Sequence, residues 1–119
     1  MKKTMLIGAT PNPARYAYLA AMRLVQYGHE LILIGVKNGA VAGVDIQKGM
    51  PAVEEVDTIT LYLNADRQRA YHDYILSLHP KRIIFNPGAE NPELARLATE
   101  QGIETVEGCT LVMLSIGAY

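Results

Sequence analysis

Short apolar runs alternate along the chain with segments of helical periodicity. The runs are rich in β-branched and aliphatic side chains: Thr4 to Ile7, Leu31 to Ile34, Thr58 to Leu63, Arg82 to Phe85 and, more weakly, Thr105-Val106. Because polar and apolar positions do not alternate within these runs, each strand is expected to be covered on both faces. That pattern is typical of central strands in a parallel sheet.

Between the runs, apolar residues recur at the spacing of a helix. The first helix is predicted to bury two neighbouring rows and to end before Gly28: Ala17, Ala21 and Leu24, beside Tyr18, Met22 and Val25. The second is predicted to begin at Asp66 as N-cap, to end at His79-Pro80 and to bury one side: Ala70, Tyr71, Tyr74, Ile75 and Leu78. The third has the clearest start, with Asn91 as N-cap and Pro92 in the first turn.

This alternation predicts an α/β fold, a Rossmann-like doubly wound domain that spans residues 1–119. We expect a five-stranded parallel sheet in the order 3-2-1-4-5 with helices on both faces. Residues 38–51 contain three glycines and are predicted to form an irregular loop in place of a helix. The uncharged apolar tail, residues 111–119, is predicted to include a short helix. That helix is either buried completely within one chain or pairs with a second subunit in a homodimer.

Charge and composition restrict the partners. Eleven Lys and Arg residues against twelve Asp and Glu residues give a net charge of −1, so no basic excess exists to bind nucleic acid. No stretch reaches the roughly 18 apolar residues of a membrane span. The single cysteine, Cys109, cannot form an internal disulfide. The sequence therefore predicts a cytoplasmic protein without a nucleic-acid or membrane partner.

The loop after the first strand, Gly8 to Arg15, is the first candidate ligand site, because doubly wound sheets bind ligands beyond the carboxyl ends of their strands. Gly8 permits a tight turn. Thr10 and Asn12 are predicted to cap the helix that follows, and Arg15 is predicted to pair with a phosphate at its N-terminus. Thr10 and Pro13 replace two glycines of the dinucleotide motif, so an ordinary turn without a ligand is the alternative.

The end of the second strand carries Lys37, where an NAD-binding domain has an acidic residue. A cation there suits a ribose phosphate, either the 3′-phosphate of coenzyme A (CoA) or the 2′-phosphate of NADP. The alternative is a solvated loop lysine. The loop at Asn64 and the loop from Asn86 to Asn91 follow the next two strands. They are candidates for contacts with a pantetheine arm, or they simply form turns.

Two stretches resemble a known family. They are Ile7 to Tyr16, and Ile84 to Asn91 followed by Glu93 to Ala95, Gly102-Ile103 and Cys109. In their order and spacing, the chain is similar to the small bacterial CoA-binding-domain proteins, which share the CoA-binding fold of the succinyl-CoA synthetase alpha subunit. The segments 49–53 and 107–110 depart from the family pattern. The resemblance implies CoA or acyl-CoA as ligand, and the candidate binding residues are Gly8, Ala9, Thr10, Asn12, Pro13, Arg15, Lys37, Asn64, Asn86, Pro87 and Gly88.

No catalytic or metal-binding constellation is evident. The three histidines do not lie at metal-ligand spacing, and none is placed to activate Cys109, which is predicted to be a small buried residue. The first hypothesis is therefore a non-catalytic CoA-binding module that acts as a carrier or sensor. The second is an NADP-dependent enzyme or redox regulator that uses the same crevice. A third is a domain that works through contacts with an unidentified protein partner.

Overall fold

Seven strands and five helices follow one another along residues 1–119, all of which the computed structural model describes. The strands are β1 (Thr4–Ile7), β2 (Leu31–Ile34), β3 (Ala40–Val41), β4 (Val44–Gln47), β5 (Thr58–Leu61), β6 (Arg82–Phe85) and β7 (Glu104–Glu107). The helices are α1 (Tyr16–Gln26), α2 (Ala65–Gln68), α3 (His72–Ser77), α4 (Pro92–Glu100) and α5 (Thr110–Ser115), with a 3₁₀ turn at Arg69–Tyr71 between α2 and α3. Every residue of β1, β2, β5 and β6 is buried, as the apolar runs predict.

The strands form one sheet in the order β3-β4-β2-β1-β5-β6-β7, and all neighbours are parallel except β3 and β4. The parallel α/β architecture is confirmed, but the five-stranded order 3-2-1-4-5 is wrong. The strand at 58–61 pairs with β1, and β4 takes the predicted place beside β2, with Leu33 opposite Ile46. If β3 is left out and the six parallel strands are numbered along the chain, their order across the sheet is 3-2-1-4-5-6.

Residues 38–51 are therefore not simply an irregular loop, because they contain the β3–β4 hairpin. Val41 and Ile46 point into the core. The two turn residues, Ala42 and Gly43, have φ values of 53° and 79°, as a two-residue hairpin turn with two left-handed positions requires. Gly43, one of the glycines that suggested a loop, is a residue that this turn favours.

Two hydrophobic cores lie on opposite faces of the sheet, so the side chains of each strand divide between them. Met5 and Ile7 contribute to the core that includes helices α3 and α4, whereas Leu6 contributes to the core beneath α1 and α5. Helix α1 buries its alanine row and Leu24, but Met22 and Val25 of the second predicted row stay exposed. Small side chains bring α1 close to the sheet, and only one row of the helix then fits against it.

The second predicted helix is divided by the 3₁₀ turn and begins earlier than predicted. Asn64, not Asp66, is its N-cap, and its side chain accepts a hydrogen bond from the Arg67 N–H. Ala70 is exposed, contrary to the prediction, while the polar Gln68 and His72 are buried. The prediction for α4 is confirmed, with Asn91 as N-cap and Pro92 in the first turn.

The C-terminal segment runs from α5 to the amino ends of the central strands. Helix α5 buries Leu114 but leaves Val112 and Ile116 exposed, so complete burial within one chain is wrong. Pairing of this tail in a homodimer stays a prediction. Beyond the helix, the ring of Tyr119 lies 4.5 Å from the guanidinium carbon of Arg82 and 4.8 Å from the ring of His29.

We expect the free energy of unfolding to fall as the pH drops below about 6.5, partly through His29. Burial and, after it, the positive charges of the N-terminus, Lys2 and Arg82 lower the pKa of His29 from 6.5. Below its ordinary pKa, His29 binds a proton more strongly in the unfolded chain than in the folded chain, so acid favours unfolding. Above the ordinary pKa, His29 makes no contribution to the pH dependence. Urea denaturation of wild type and His29→Gln between about pH 5 and 8 measures it. If the free energies of unfolding of the two proteins changed by the same amount with pH, the contribution assigned to His29 would be contradicted.

Candidate functional site

A crevice with two lobes lies beyond the carboxyl ends of β1, β2, β5 and β6. The β2 lobe has a volume of about 470 Å³ and is lined by Gly8, Ala9, Thr10, Arg15, Gly35, Val36, Lys37, Tyr62, Leu63, Arg67 and Tyr71. The β6 lobe has a volume of about 420 Å³ and is lined by Gly8, Arg15, Tyr16, Ala17, Tyr62, Asn86, Pro87, Cys109 and Leu111. Both volumes are typical of small-molecule sites, and the lobes meet at three shared residues, Gly8, Arg15 and Tyr62.

The lining of this crevice is positively charged. Arg15, Lys37 and Arg67 face it, and no aspartate or glutamate does. None of the three cations takes part in a salt bridge, although Arg69, from the turn after Arg67, pairs with Asp66 at 3.7 Å. Cations without carboxylate partners in a concave surface attract anionic ligands. The crevice is therefore suited to a ligand with more than one anionic group.

The loop after β1 is held tightly between β2 and β5. The Gly8 and Ala9 N–H groups both donate to the Ile34 carbonyl, each at 2.9 Å. Gly8 has a φ of 103°, and a Cβ atom on it would lie 2.9 Å from the carbonyl carbon of Tyr62. On the other side, a Cβ atom on Gly35 would overlap the carbonyl oxygen of Ala9. Glycine at both positions lets three chain segments meet at the floor of the crevice.

The start of α1 differs from the prediction, since Thr10 and Asn12 do not cap it. The helix begins at Tyr16, and its N-cap, Arg15, makes no side-chain capping bond. Asn12 instead closes a turn before the helix: its Oδ1 accepts from the Ala14 N–H at 3.0 Å, and its N–H donates to Thr10 Oγ1 at 3.2 Å.

Two backbone donors in the first turn of α1 are consequently free. The N–H groups of Tyr16 and Ala17 have no partner in the chain, and both residues line the β6 lobe. Unpaired N–H groups at the start of a helix are favourable partners for an anion.

Four of the predicted binding residues do not line the crevice. Asn12 belongs to the turn just described, and Pro13 borders a separate groove of about 750 Å³ along the exposed side of α1. Asn64 is the cap of α2, and the Gly88 N–H donates to the Glu90 carboxylate at 3.0 Å. These residues shape the loops around the crevice without facing it.

Asn86 faces the β6 lobe, but its hydrogen-bonding groups are already used. Its Nδ2 donates to Thr60 Oγ1 at 2.7 Å and to the Leu61 carbonyl at 2.9 Å, and its Oδ1 accepts from the Thr110 N–H at 2.9 Å. The side chain is 1% exposed. Asn86 therefore fastens β5, β6 and α5 together and forms a wall of the lobe.

Several lining residues were missed from the sequence, above all Tyr62, Arg67 and Tyr71. Cys109, predicted to be buried, is half-buried and lines the β6 lobe. Although Thr110 lies nearby, the buried hydroxyl oxygen of Tyr62 has no hydrogen-bond partner of good geometry. Burial is the main cause that raises the pKa of Tyr62 far above its usual 10, so this hydroxyl keeps its proton.

No histidine, aspartate or glutamate lines either lobe. Elsewhere, no three His, Cys, Asp or Glu side chains come together in a group that could hold a metal ion. None of the helices combines the length and the apolar character needed to cross a membrane. The chemistry that the crevice offers is thus the binding of anions, together with one thiol.

Comparison with known proteins identifies the family of the chain. Residues 2–115 match a family model described as a CoA binding domain. The chain belongs to this CoA-binding-domain family. The resemblance inferred from the stretches beginning at Ile7 and Ile84 is confirmed.

Solved structures related to this CoA-binding-domain protein share its fold. The crystal structure of an uncharacterised protein is 57% identical, with a TM-score of 0.97, and the match covers 100% of this chain and 98% of that chain. A hypothetical protein from Pyrococcus horikoshii OT3 is 21% identical, with a TM-score of 0.86 and coverage of 97% and 82%. Cell-free ID.343 from Thermus thermophilus is 20% identical, with a TM-score of 0.85 and coverage of 99% and 91%. No curated protein matches this chain.

Proposed function

We propose that the two-lobed crevice binds CoA or an acyl-CoA and that the chain serves as a binding module, a carrier or a sensor. One observation carries the proposal. Three cations without ion-pair partners line the crevice, and no carboxylate does, in a chain whose net charge is −1. CoA presents two anionic groups on one molecule, a pyrophosphate and a ribose 3′-phosphate, and so matches a crevice with several separated cations.

The pyrophosphate is assigned to the junction of the two lobes. Arg15 lies there, and the free N–H groups of Tyr16 and Ala17 lie beside it in the first turn of α1. An arginine and the N-terminus of an eleven-residue helix together supply charge and directed donors for phosphate oxygens. Gly8 supports this placement, because it keeps the floor of the junction free of side chains.

The phosphorylated ribose and the adenine are assigned to the β2 lobe. Lys37 follows β2, and Arg67 lies in α2, so a phosphate between them would meet cations from two elements. Val36 and Tyr71 line the same lobe and offer apolar and aromatic surface to a base. Arg67, which the sequence did not single out, supports this assignment because it lines the same lobe as Lys37.

The pantetheine arm is assigned to the β6 lobe. Its lining is largely uncharged, with Pro87 and Leu111 as apolar walls. Tyr62 adds aromatic surface to this lobe, while its hydroxyl is buried beneath the wall. No carboxylate or histidine lines the lobe.

Calorimetric titration with CoA, dephospho-CoA, NADP and NAD tests the proposal. CoA is expected to bind more tightly than dephospho-CoA, which lacks the 3′-phosphate, by about ten- to a hundredfold for one charge-assisted contact. NADP binding more tightly than CoA would favour a nicotinamide-dependent enzyme or redox regulator. Tightest binding of NAD, whose adenosine ribose has neither a 2′- nor a 3′-phosphate, would overturn both readings of the β2 lobe.

Single substitutions of the crevice cations are expected to weaken CoA binding without unfolding the chain. We expect about a tenfold loss or more for each of Arg15→Ala, Lys37→Ala and Arg67→Ala, measured by calorimetry, because each removes one charge-assisted contact. Arg69→Ala is the matched control, since Arg69 lies two residues from Arg67 and pairs with Asp66 outside the crevice. Equal losses from Arg67→Ala and Arg69→Ala would show that only overall charge matters.

The gap in affinity between CoA and dephospho-CoA is a second test of the roles of these three cations. Lys37→Ala and Arg67→Ala are expected to narrow this gap, because both side chains line the lobe assigned to the 3′-phosphate. Arg15→Ala is expected to weaken both ligands alike, since the pyrophosphate is common to them. An unchanged gap in all three variants would move the 3′-phosphate away from the β2 lobe.

A further inference from the structure

The β6 lobe contains a nucleophile that the binding proposal leaves unused. Cys109 is the single cysteine of the chain, is half-buried and lines the lobe beside Arg15 and Tyr62. Asn86, the other polar side chain nearby, has its donors and its acceptor occupied. The reactive group left in the lobe is thus the Cys109 thiol.

We propose that Cys109 is a covalent attachment site for CoA, through a reversible mixed disulfide between its Sγ and the coenzyme's own sulfur. The inference rests on the proposed function, because it requires CoA to occupy the crevice. It adds to that function a redox-dependent step, in which the module holds CoA covalently under oxidising conditions and releases it when thiols are abundant.

The order of chemical groups along CoA leads to this placement. The phosphorylated adenosine, the pyrophosphate, the pantetheine arm and the thiol follow one another in a linear molecule. With the nucleotide in the β2 lobe and the pyrophosphate at the junction beside Arg15, the arm can continue along the crevice only into the β6 lobe. Its sulfur is then confined to the same lobe as Cys109. Confinement raises the effective concentration of one thiol at the other, as it does in intramolecular reactions.

The bond is made by thiol–disulfide exchange, with CoA disulfide as the co-reactant. The Cys109 thiol gives up its proton, and its sulfur attacks the disulfide sulfur of the CoA unit bound in the crevice. A Cys109–CoA disulfide forms as the disulfide of the reagent breaks. The second CoA unit leaves as a thiolate and takes up the proton. One disulfide is consumed and one is formed, so no further oxidant is needed, and a small thiol reverses the step.

Intact-mass spectrometry after anaerobic incubation with CoA disulfide tests the inference. The expected product carries one CoA per chain, is absent in Cys109→Ser and is reversed by dithiothreitol. Oxidised glutathione is the reference reagent, because it has a disulfide but no nucleotide. Prior binding in the crevice is expected to make the reaction with CoA disulfide about tenfold faster or more at equal concentrations.

Substitutions in the distant β2 lobe separate guided attachment from the reactivity of an ordinary thiol. Lys37→Ala is expected to slow the reaction with CoA disulfide much more than the reaction with oxidised glutathione. Lys48→Ala, which removes an exposed lysine outside the crevice, is expected to change neither rate. Equal rates for the two reagents in the wild type would overturn the inference.

Calorimetry of the wild type with reduced CoA distinguishes the two proposals from each other. Binding of reduced CoA without any adduct from CoA disulfide would overturn the attachment site and leave the binding module in place. No binding and no adduct would overturn the binding module and, with it, the inference.

Discussion

Replacing Asn91 with alanine is expected to lower the free energy of unfolding by about 2–5 kcal/mol, the sum of a lost helix cap and two buried groups left without a donor. Asn91 is 4% exposed and lies where the loop after β6 enters α4. Its side chain joins the start of α4 to Gln68 and His72, which lie 23 and 19 residues earlier in the chain. Few single substitutions at a polar residue in this chain remove as many buried hydrogen bonds.

The orientation of the Asn91 amide follows from the backbone. The Leu94 N–H donates to Asn91 Oδ1 at 3.1 Å, so Nδ2 points the other way, to Gln68 Oε1 at 2.8 Å and to His72 Nε2 at 3.0 Å. Gln68 in turn donates to the carbonyls of Leu63 and Ala89, each at 2.7 Å. His72 must therefore accept at Nε2, which places the proton of the neutral ring on Nδ1, the atom that faces Glu93 at 3.7 Å.

Two further substitutions separate the cap from the network, and urea denaturation measures all three. Asn64→Ala removes an exposed N-cap asparagine with a single capping bond, and we expect a loss of about 1 kcal/mol. Asn91→Asp keeps the oxygen that caps α4 but removes the donor to Gln68 and His72, so most of the loss should persist. Equal losses for Asn64→Ala and Asn91→Ala would show that the buried network adds nothing to the cap.

The central strands could be predicted from the sequence because their side chains are buried in a hydrophobic core on each face of the sheet. Leu31 to Ile34 and Arg82 to Phe85 are buried along their whole length, and continuous apolar runs are what such a position requires. The β3–β4 hairpin lacks this signal, since β4 is exposed at Asp45 and Gln47 and buries only Ile46 fully. A short hairpin at the edge of the sheet, with one buried side chain in each strand, resembles a loop in sequence. Missing it shifted the predicted strand order.

Errors in the predicted boundaries of elements hid three residues of the crevice, Tyr62, Leu63 and Arg67. The third apolar run is predicted to extend to Leu63, but β5 ends at Leu61, so Tyr62 and Leu63 lie in the loop that follows the strand. Tyr62 lines both lobes, and Leu63 lines the β2 lobe. With the next helix predicted to begin at Asp66 rather than after Asn64, Arg67 was not recognised as a residue of the crevice. Strand-end rules find residues only where the strand ends are correctly placed.

Four residues were predicted to contact a ligand but do not line the crevice: Asn12, Pro13, Asn64 and Gly88. Residue type made each a plausible ligand contact, because asparagine, proline and glycine occur in binding loops. The same residue types also build turns, and the hydrogen bonds of Asn12, Asn64 and Gly88 are made within their own turns. Whether such a side chain faces a ligand or its own backbone is decided by tertiary contacts, which sequence spacing does not encode.

Gly8→Ala is expected to lower the free energy of unfolding by roughly 2–5 kcal/mol and to weaken CoA binding by about tenfold or more. The residue has a φ of 103°, which side chains rarely tolerate, and its Cβ would lie 2.9 Å from backbone at Tyr62. Backbone cannot rotate aside as a flexible side chain can, so the loop after β1 has to move. That loop pairs with Ile34 and leads to Arg15, so its displacement also disturbs the junction of the lobes.

Gly88→Ala is the matched control for this effect, since Gly88 has a φ of 89° and a Cβ there would meet nothing within 4 Å. It shares the backbone strain of Gly8 but lacks the close approach, so we expect a loss of about 1–2 kcal/mol and unchanged CoA affinity. Chemical denaturation and calorimetry on both variants give the comparison. If Gly8→Ala lost no more stability than Gly88→Ala and bound CoA as the wild type does, the contact with Tyr62 would be dispensable. The crevice would then tolerate a side chain at its floor, contrary to the placement of the pyrophosphate above it.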